Sequence, residues 1–177
     1  VAARALAEEA VLAPPDDLSG RTLSHYRLEE KIGEGGMGVV YRARDTILDR
    51  TVALKILPPG VASDEDRMRR FLREAKAASA LSHPNVATIY EVGEAQGVNF
   101  IAMEYVSGQM LSEYSQKRRL EPGQIIDIAI QMAEALDEAH AKGIIHRDLK
   151  PANVMVTARG AGEGARFRPG EAGEASP

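Results

Sequence analysis

The chain predicts an α+β fold: strands about turns with one helix among them, then a long amphipathic helix, a loop and a short strand. Three observations lead there. Short β-prone runs separated by turn signals fill residues 26–57 and 86–106, whereas apolar residues at helical spacing occupy about 63–81 and 122–142. At 177 residues, 44% apolar and 27% charged, the chain has the size and composition of one ordinary domain. Past Val156 the apolar pattern gives way to Gly, Ala, Glu, Arg and Pro.

Residues 1–20 hold an Ala-rich stretch and then Pro14-Pro15-Asp16-Asp17, the composition of a leader or linker expected to be disordered. "YRLEEKI" reads as a strand entering a glycine cluster, Gly33 to Gly38. "GVVYRARD" alternates beyond it, with Val40 and Arg42 on one side of the ribbon and Val39 and Tyr41 on the other. "TVALKIL" is strongly β-prone. A helix then covers about 63–81. Ser63 with Asp66 three residues on resembles a capping box, and Met68, Phe71, Leu72 and Ala75 recur at helical spacing. His83-Pro84-Asn85 ends it. Two strands about a turn at Gln96-Gly97 follow, then a long amphipathic helix with Pro122 in its first turn and Gly143 at C′. "GIIHRDLKPANVMV" reads as an irregular loop and a short strand.

Composition excludes several classes of function. A net charge of -4 gives no reason to expect a nucleic-acid partner. There is no cysteine, hence no disulfide framework and no thiolate metal site or nucleophile. No apolar run approaches the roughly 20 residues of a membrane helix. The N-terminus lacks the apolar core of a signal peptide. A cytoplasmic location is the expectation.

Three places carry chemistry. Gly33-Glu34-Gly35-Gly36-Met37-Gly38 satisfies G-x-G-x-x-G, which alone means a flexible turn, a dinucleotide fold or a phosphate-covering hairpin. A dinucleotide turn leads into a helix and finds an acidic residue about 20 positions on. Here a β-branched strand follows, and that position holds Leu57-Pro58-Pro59. The hairpin reading, with backbone close to phosphates, is therefore preferred over an oxidoreductase. Lys55 is the only charge in "VALKIL"; a strand lysine usually faces solvent, but among apolar neighbours an ammonium needs an anionic partner. Glu74 could supply one, although Arg69, Arg70 and Arg73 around it read as an ordinary solvated face. His146-Arg147-Asp148-Leu149-Lys150-Pro151-Ala152-Asn153 puts a carboxylate, an ammonium and an amide in one loop between apolar flanks. Phosphoryl transfer needs that set: a carboxylate to orient the attacking hydroxyl, a cation for the phosphate and a neutral oxygen for the metal.

"GEGGMGVVYRARD", "VALKIL", "FLREA", "LSHPN", "FIAMEYVSG" and "HRDLKPAN" stand in this order over residues 26–157, and together they resemble the eukaryotic-type serine/threonine protein kinases found also in bacteria. The resemblance implies a two-lobe kinase-like fold, an antiparallel N-lobe sheet with one helix over an incomplete helical C-lobe. Its N-lobe and hinge fall at 21–106 and a partial C-lobe at 107–159. It implies ATP and Mg²⁺ as cofactors and a protein serine or threonine as acceptor; the expectation of no membrane segment within the chain comes from its apolar runs and not from the resemblance. Ile32, Gly33, Gly35, Gly36 and Gly38 would lie over the nucleotide. Val40, Ala53 and Met155 would flank the adenine, Met103 would be the gatekeeper, and the backbone of Glu104 and Val106 would meet the adenine edge. Lys55 would hold the α- and β-phosphates and pair with Glu74, replacing the solvated-face reading of that residue. Asp148 would accept the substrate hydroxyl's hydrogen bond, Lys150 would neutralise the γ-phosphate and Asn153 would bind one Mg²⁺. His146 would brace the loop. Lys150-Pro151 is the serine/threonine form, and Arg147 before Asp148 resembles kinases controlled by activation-loop phosphorylation. A pseudokinase-like ATP-binding or scaffold module is the alternative; intact Lys55, Glu74, Asp148 and Asn153 count against it.

The family's D-F-G triplet, whose Asp holds a metal, is absent after Asn153. Weak or no activity is therefore expected of this fragment. Residues 162–171 can be encoded GGT GAA GGT GCT CGA TTT CGG CCT GGC GAA. Read one base later, with a following G, this spells V-K-V-L-D-F-G-L-A-K. Residues from about Ala161 are thus expected to be an out-of-frame translation, leaving 160–177 an aberrant, disordered tail.

Overall fold

Burial of continuous apolar runs in the middle strands builds the first sheet. The structure, a computed structural model, describes residues 17–35, 38–58, 65–146, 149–159 and 162–167. Strands β1 (Thr22–Leu23), β2 (Tyr26–Gly35), β3 (Gly38–Asp45), β4 (Arg50–Ile56), β5 (Ile89–Ala95) and β6 (Val98–Glu104) form an antiparallel sheet ordered β1-β2-β3-β4-β6-β5. Tyr41, Ala43, Val52, Leu54, Ile56, Phe100 and Ala102 share one cluster with Leu23, Tyr26 and Leu28. Val40, Ala53, Leu57, Ile89, Ile101 and Met103 form another with Ala75 of helix α1 (Glu65–Ser79). Both faces of the middle strands are therefore covered, so β3 buries neighbouring Val40 and Tyr41 instead of one side only. Each fully buried Leu, Ile or Val contributes roughly 1.5–3 kcal/mol.

Helix α1 matches the expected span to within two residues at each end, and Ser63 of the expected capping box lies outside the described residues. Leu72 differs from expectation, being exposed. Met68 and Ala78 pack beside Ala75, and at 3.6 residues per turn Leu72 falls on the outer edge of that stripe. The β5–β6 hairpin turns where expected: Gln96 and Gly97 have φ of 55° and 73°, the paired positive values of a type I′ turn. In β2 the register shifts between Leu28 and Glu30 and again between Lys31 and Gly33, and such bulges bend and twist a strand.

Below this sheet lie helices α2 (Leu111–Lys117) and α3 (Pro122–Ala141), a 3₁₀ turn (Pro151–Asn153) and a small antiparallel sheet β7-β8-β9. Its strands are β7 (Gln109–Met110), β8 (Val154–Arg159) and β9 (Gly162–Phe167). Tyr114, Ile128, Ala135, Ala139, Val154 and Val156 make the core here, joined by Leu81 and Val86 from the connection between α1 and β5. Pro122 opens α3, where Gln124 Oε1 accepts from the Glu121 N–H at 2.9 Å. It closes in a Schellman motif: Gly143 N–H donates to His140 O and Ile144 N–H to Ala139 O, both at 2.9 Å.

Two expectations about the chain ends meet a different outcome. Residues 17–20 belong to the fold, since the Leu18 N–H donates to the Tyr41 hydroxyl at 3.0 Å and Leu18 packs on the first core. Residues 1–16 lie outside the described part. At the other end, 162–167 of the expected disordered tail form β9, because β8 offers a free edge whose backbone groups they pair. Residues 160–161 and 168–177 are outside the described part.

Candidate active site

Strand register gathers the upper half of the site. Val40 pairs with Lys55, which pairs with Ile101; two residues along, Arg42 pairs with Ala53 and Ala53 with Met103. Residues directly opposite share a face and the side-chain period is two, so Val40, Ala53, Lys55, Ile101 and Met103 stand on one surface. It is the surface that carries Ala75 of α1. Lys55 is 8% exposed, an ammonium within apolar strand surroundings. Glu74 is in α1, next to the buried Ala75; its side chain lies outside the described residues.

The glycine hairpin separates into two kinds of glycine. Gly38 has φ of 121°, and a Cβ there would collide with the backbone carbonyl of Ile56. Gly33 and Gly35 have no such demand: a Cβ at 33 meets only Val40 Cβ at 3.9 Å, and one at 35 meets nothing within 4 Å. Gly38 thus serves the fold, and Gly33 and Gly35 leave open space where they lie. Gly36 falls outside the described residues; Ile32 is half-buried against the Val40 cluster. As the sequence suggested, the hairpin feeds a strand, β3, and not a helix.

The hinge follows β6. The Glu104 N–H donates to Thr88 O at 2.8 Å, so position 104 can present only its carbonyl to a ligand. The Glu104 carboxylate accepts from the Thr88 N–H at 3.2 Å and from Arg166 Nη2 at 2.9 Å, and forms a second contact with Arg166 Nη1. Sequence reasoning missed this cluster: its members are 16 and 62 residues apart, and no local pattern announces it. Val106 is half-buried just beyond.

On the lower side, Val154 and Val156 are buried in the core, which turns the partly exposed Met155 to the opposite face of β8. Asn153 ends the 3₁₀ turn, its N–H donating to Lys150 O at 2.9 Å, and is half-buried; Lys150 is exposed. Arg147 and Asp148 lie outside the described residues. Cross-links hold the two parts together: Asn85 Nδ2 donates to Gln131 O at 3.3 Å, and Lys142 Nζ to Ala80 O at 3.2 Å.

A second polar cluster sits at the far end of the sheet. Asp45, 1% exposed, accepts from the N–H groups of Ile47 at 3.1 Å and Leu48 at 3.0 Å and from Arg50 Nε at 3.3 Å. Burial works to raise its pKa, but these donors and the nearby His25 prevail and hold it below the usual carboxylate range. Burial, and then its hydrogen bond to Glu91, push the Tyr26 phenol well above its ordinary value.

The protein kinase domain model matches residues 26–163 of this chain. The chain belongs to the protein kinase family. Relatives include the serine/threonine-protein kinase pkn3 of Myxococcus xanthus, 50% identical over 147 residues covering 81% of this chain and 27% of that protein. PrkC of Bacillus subtilis is 45% identical over 141 residues, covering 78% of this chain and 22% of that serine/threonine-protein kinase. Among solved structures, the kinase domain of Mycobacterium tuberculosis PknI superposes with a TM-score of 0.75 at 34% identity, covering 85% of this chain and 61% of that domain. The kinase chain therefore spans about a quarter of its curated relatives and about three fifths of a solved domain. Its curled antiparallel sheet, the one N-lobe helix among the described residues and its partial C-lobe match the kinase fold.

Proposed function

We propose that this chain carries the nucleotide-binding part of a serine/threonine protein kinase, which transfers the γ-phosphoryl group of ATP to a protein hydroxyl. The single observation that carries the reading is Lys55. It is a buried cation in the row Val40–Lys55–Ile101, beneath the hairpin that leaves Gly33 and Gly35 open. A cation in low-dielectric surroundings favours a multiply charged anion such as a triphosphate. Val40, Ala53, Met103 and Met155 offer apolar surface for a planar base, and the Glu104 carbonyl gives that base one hydrogen-bond acceptor.

The residues present suit Mg²⁺ in its usual kinase role. Among the described residues no cluster of three or more His, Cys, Asp or Glu side chains could form a self-sufficient metal cage. Mg²⁺ is ordinarily held by one or two protein oxygens together with phosphates, and Asn153 offers such an oxygen. When bound, the ion neutralises charge developing on the phosphates. For its part the chain binds and orients. Lys55 fixes the phosphate chain, Lys150 adds positive charge beside the transferring group, and Asp148 orients the acceptor hydroxyl through a hydrogen bond. Glu74 keeps Lys55 directed at the phosphates. No aspartate follows Asp148 in this sequence, so binding with little turnover is the behaviour expected of the 177-residue chain.

The test is a thermal titration with Mg-ATP. At a concentration 100 times its dissociation constant, a ligand specific for the native state adds about 2.7 kcal/mol. For a chain of this size that raises the melting temperature by roughly 5–10 °C. Lys55→Met should abolish the rise while leaving the ligand-free melt in place. A wild-type melt indifferent to Mg-ATP, or a Lys55→Met protein that responds fully, would refute the assignment.

A further inference from the structure

Strand β9 is at odds with its own sequence. Gly162, Glu163 and Gly164 are among the residues least suited to a strand interior, yet 162–167 pair residue for residue with β8, from Arg159↔Gly162 to Val154↔Phe167. The register sets positions 165 and 167 opposite Val156 and Val154, which are buried, and positions 164 and 166 opposite Thr157 and Met155. Arg166 Nε is buried without a hydrogen-bond partner among the described residues, a state that native chains avoid. Strands β4 and β6, with Val52, Leu54, Ile56, Phe100 and Ile101 buried, show no such conflict between local preference and fold. A mismatch confined to one element calls for a local cause. The protein kinase match also ends inside this strand, at residue 163.

We infer that the codons for residues 162–171 hold, one base downstream of the translated frame, the strand this fold requires. The inference rests on the kinase reading. With the codons written above for residues 162–171, that frame spells V-K-V-L-D-F-G-L-A-K. Valine replaces Gly162 and Gly164. Leucine replaces Ala165, opposite the buried Val156, and phenylalanine is retained at 167, opposite the buried Val154. Aspartate replaces Arg166, so a carboxylate instead of a guanidinium shares the face of Met155. The shifted strand has alternation and β-branched residues where the translated one has glycine. Apart from the choice between arginine codon families, the residues of this chain dictate the outer letters of every shifted codon; only the middle letters are free.

Helix α3 points the same way. Ile125, Ile126 and Ile130 are 51%, 58% and 51% exposed on a helix whose Ile128, Ala135 and Ala139 are buried. The PknI domain, of which this chain covers 61%, is long enough to supply a cover. The occupant assigned to this face is the helical remainder of the lobe, encoded further along the shifted frame.

Sequencing the locus across codons 155–180 decides the matter. The expected result is that the shifted frame spells those ten residues and stays open past codon 177. A different residue at shifted positions 162, 164, 165 or 166, or an early stop, overturns the inference. As a second measurement, the product read in the shifted frame from codon 162 is compared with the present chain by hydrogen exchange. Exchange over 125–130 should slow at least tenfold in the longer protein; equal exchange overturns the assignment of the α3 face. Loss of Mg-ATP binding by the present chain would count against the kinase reading and leave the codon result standing.

Discussion

Replacing Gly38 and Gly35 by alanine, one at a time, separates a glycine the fold needs from one it does not. At Gly38 alanine must adopt φ near 121°, a conformation costing about 1–3 kcal/mol for a residue with a Cβ. Its Cβ also collides with the Ile56 carbonyl, a backbone atom of β4 that cannot rotate aside; the shift needed costs about another 1–3 kcal/mol. The stiffer unfolded chain offsets about 0.4–1 kcal/mol. The net loss is about 3 kcal/mol, which lowers the melting temperature of a chain this size by roughly 6–12 °C. Gly35 has no positive φ, and an added Cβ there meets nothing within 4 Å. Gly35→Ala should therefore melt within a degree or two of the parent, or slightly above it. The two variants should also part in ligand response. Gly35→Ala should weaken Mg-ATP binding several-fold at unchanged stability, by intruding on the space over the phosphates. Thermal melts of the three proteins, with and without Mg-ATP, measure all of this. Equal melting temperatures for the two variants would refute the division of roles within the hairpin.

Three further outcomes are expected. Asp45→Asn should cost about 2–3 kcal/mol by weakening the bonds to Ile47, Leu48 and Arg50. Because the folded pKa of Asp45 is depressed, its contribution is present above the ordinary carboxylate pKa of about 4 and disappears as pH falls through the lower folded value; the gap between parent and variant melts should narrow as pH falls below about 4, and a gap that widens there would contradict it. Gly143→Ala should lose about 1 kcal/mol from its φ of 71° alone, since a Cβ there meets nothing within 4 Å, and Gly143→Asn should lose less; denaturant midpoints with unchanged slopes would show it, and no difference among the three proteins would contradict it. The double variant Ile126→Lys, Ile130→Lys should leave the melt within about 1 kcal/mol of the parent while reducing aggregation and binding of an apolar dye; a large drop in stability would mean that these side chains are packed.

Most of the upper lobe was legible because its elements are locally consistent. Lys55 stood out as the lone charge in an apolar strand, and the structure buries it between Val40 and Ile101 of the neighbouring strands. Gln96-Gly97 and Gly143 announced their turn and cap through backbone chemistry that few residues satisfy. Leu72 was misread because helical spacing marks an apolar stripe without fixing its centre, and the stripe is centred on Ala75. Asp45 was overlooked although an aspartate before a turn is a known local signal, since nothing in sequence shows that its carboxylate is buried. The Glu104–Thr88–Arg166 cluster depends on register between distant strands. Residues 162–167 were placed outside the fold on composition, and composition does not register that an unpaired strand edge can recruit poor strand formers. Of the proposed catalytic set, Asp148 and the Glu74 side chain lie outside the described residues, so their roles rest on the motifs and not on geometry.

The bond from the Glu104 N–H to Thr88 O has a bearing on purine choice. With its donor committed inside the protein, that hinge position can welcome an exocyclic amine but would oppose the carbonyl oxygen that guanine carries in its place. Preference for ATP over GTP would then originate in main-chain wiring, beyond the reach of ordinary side-chain drift.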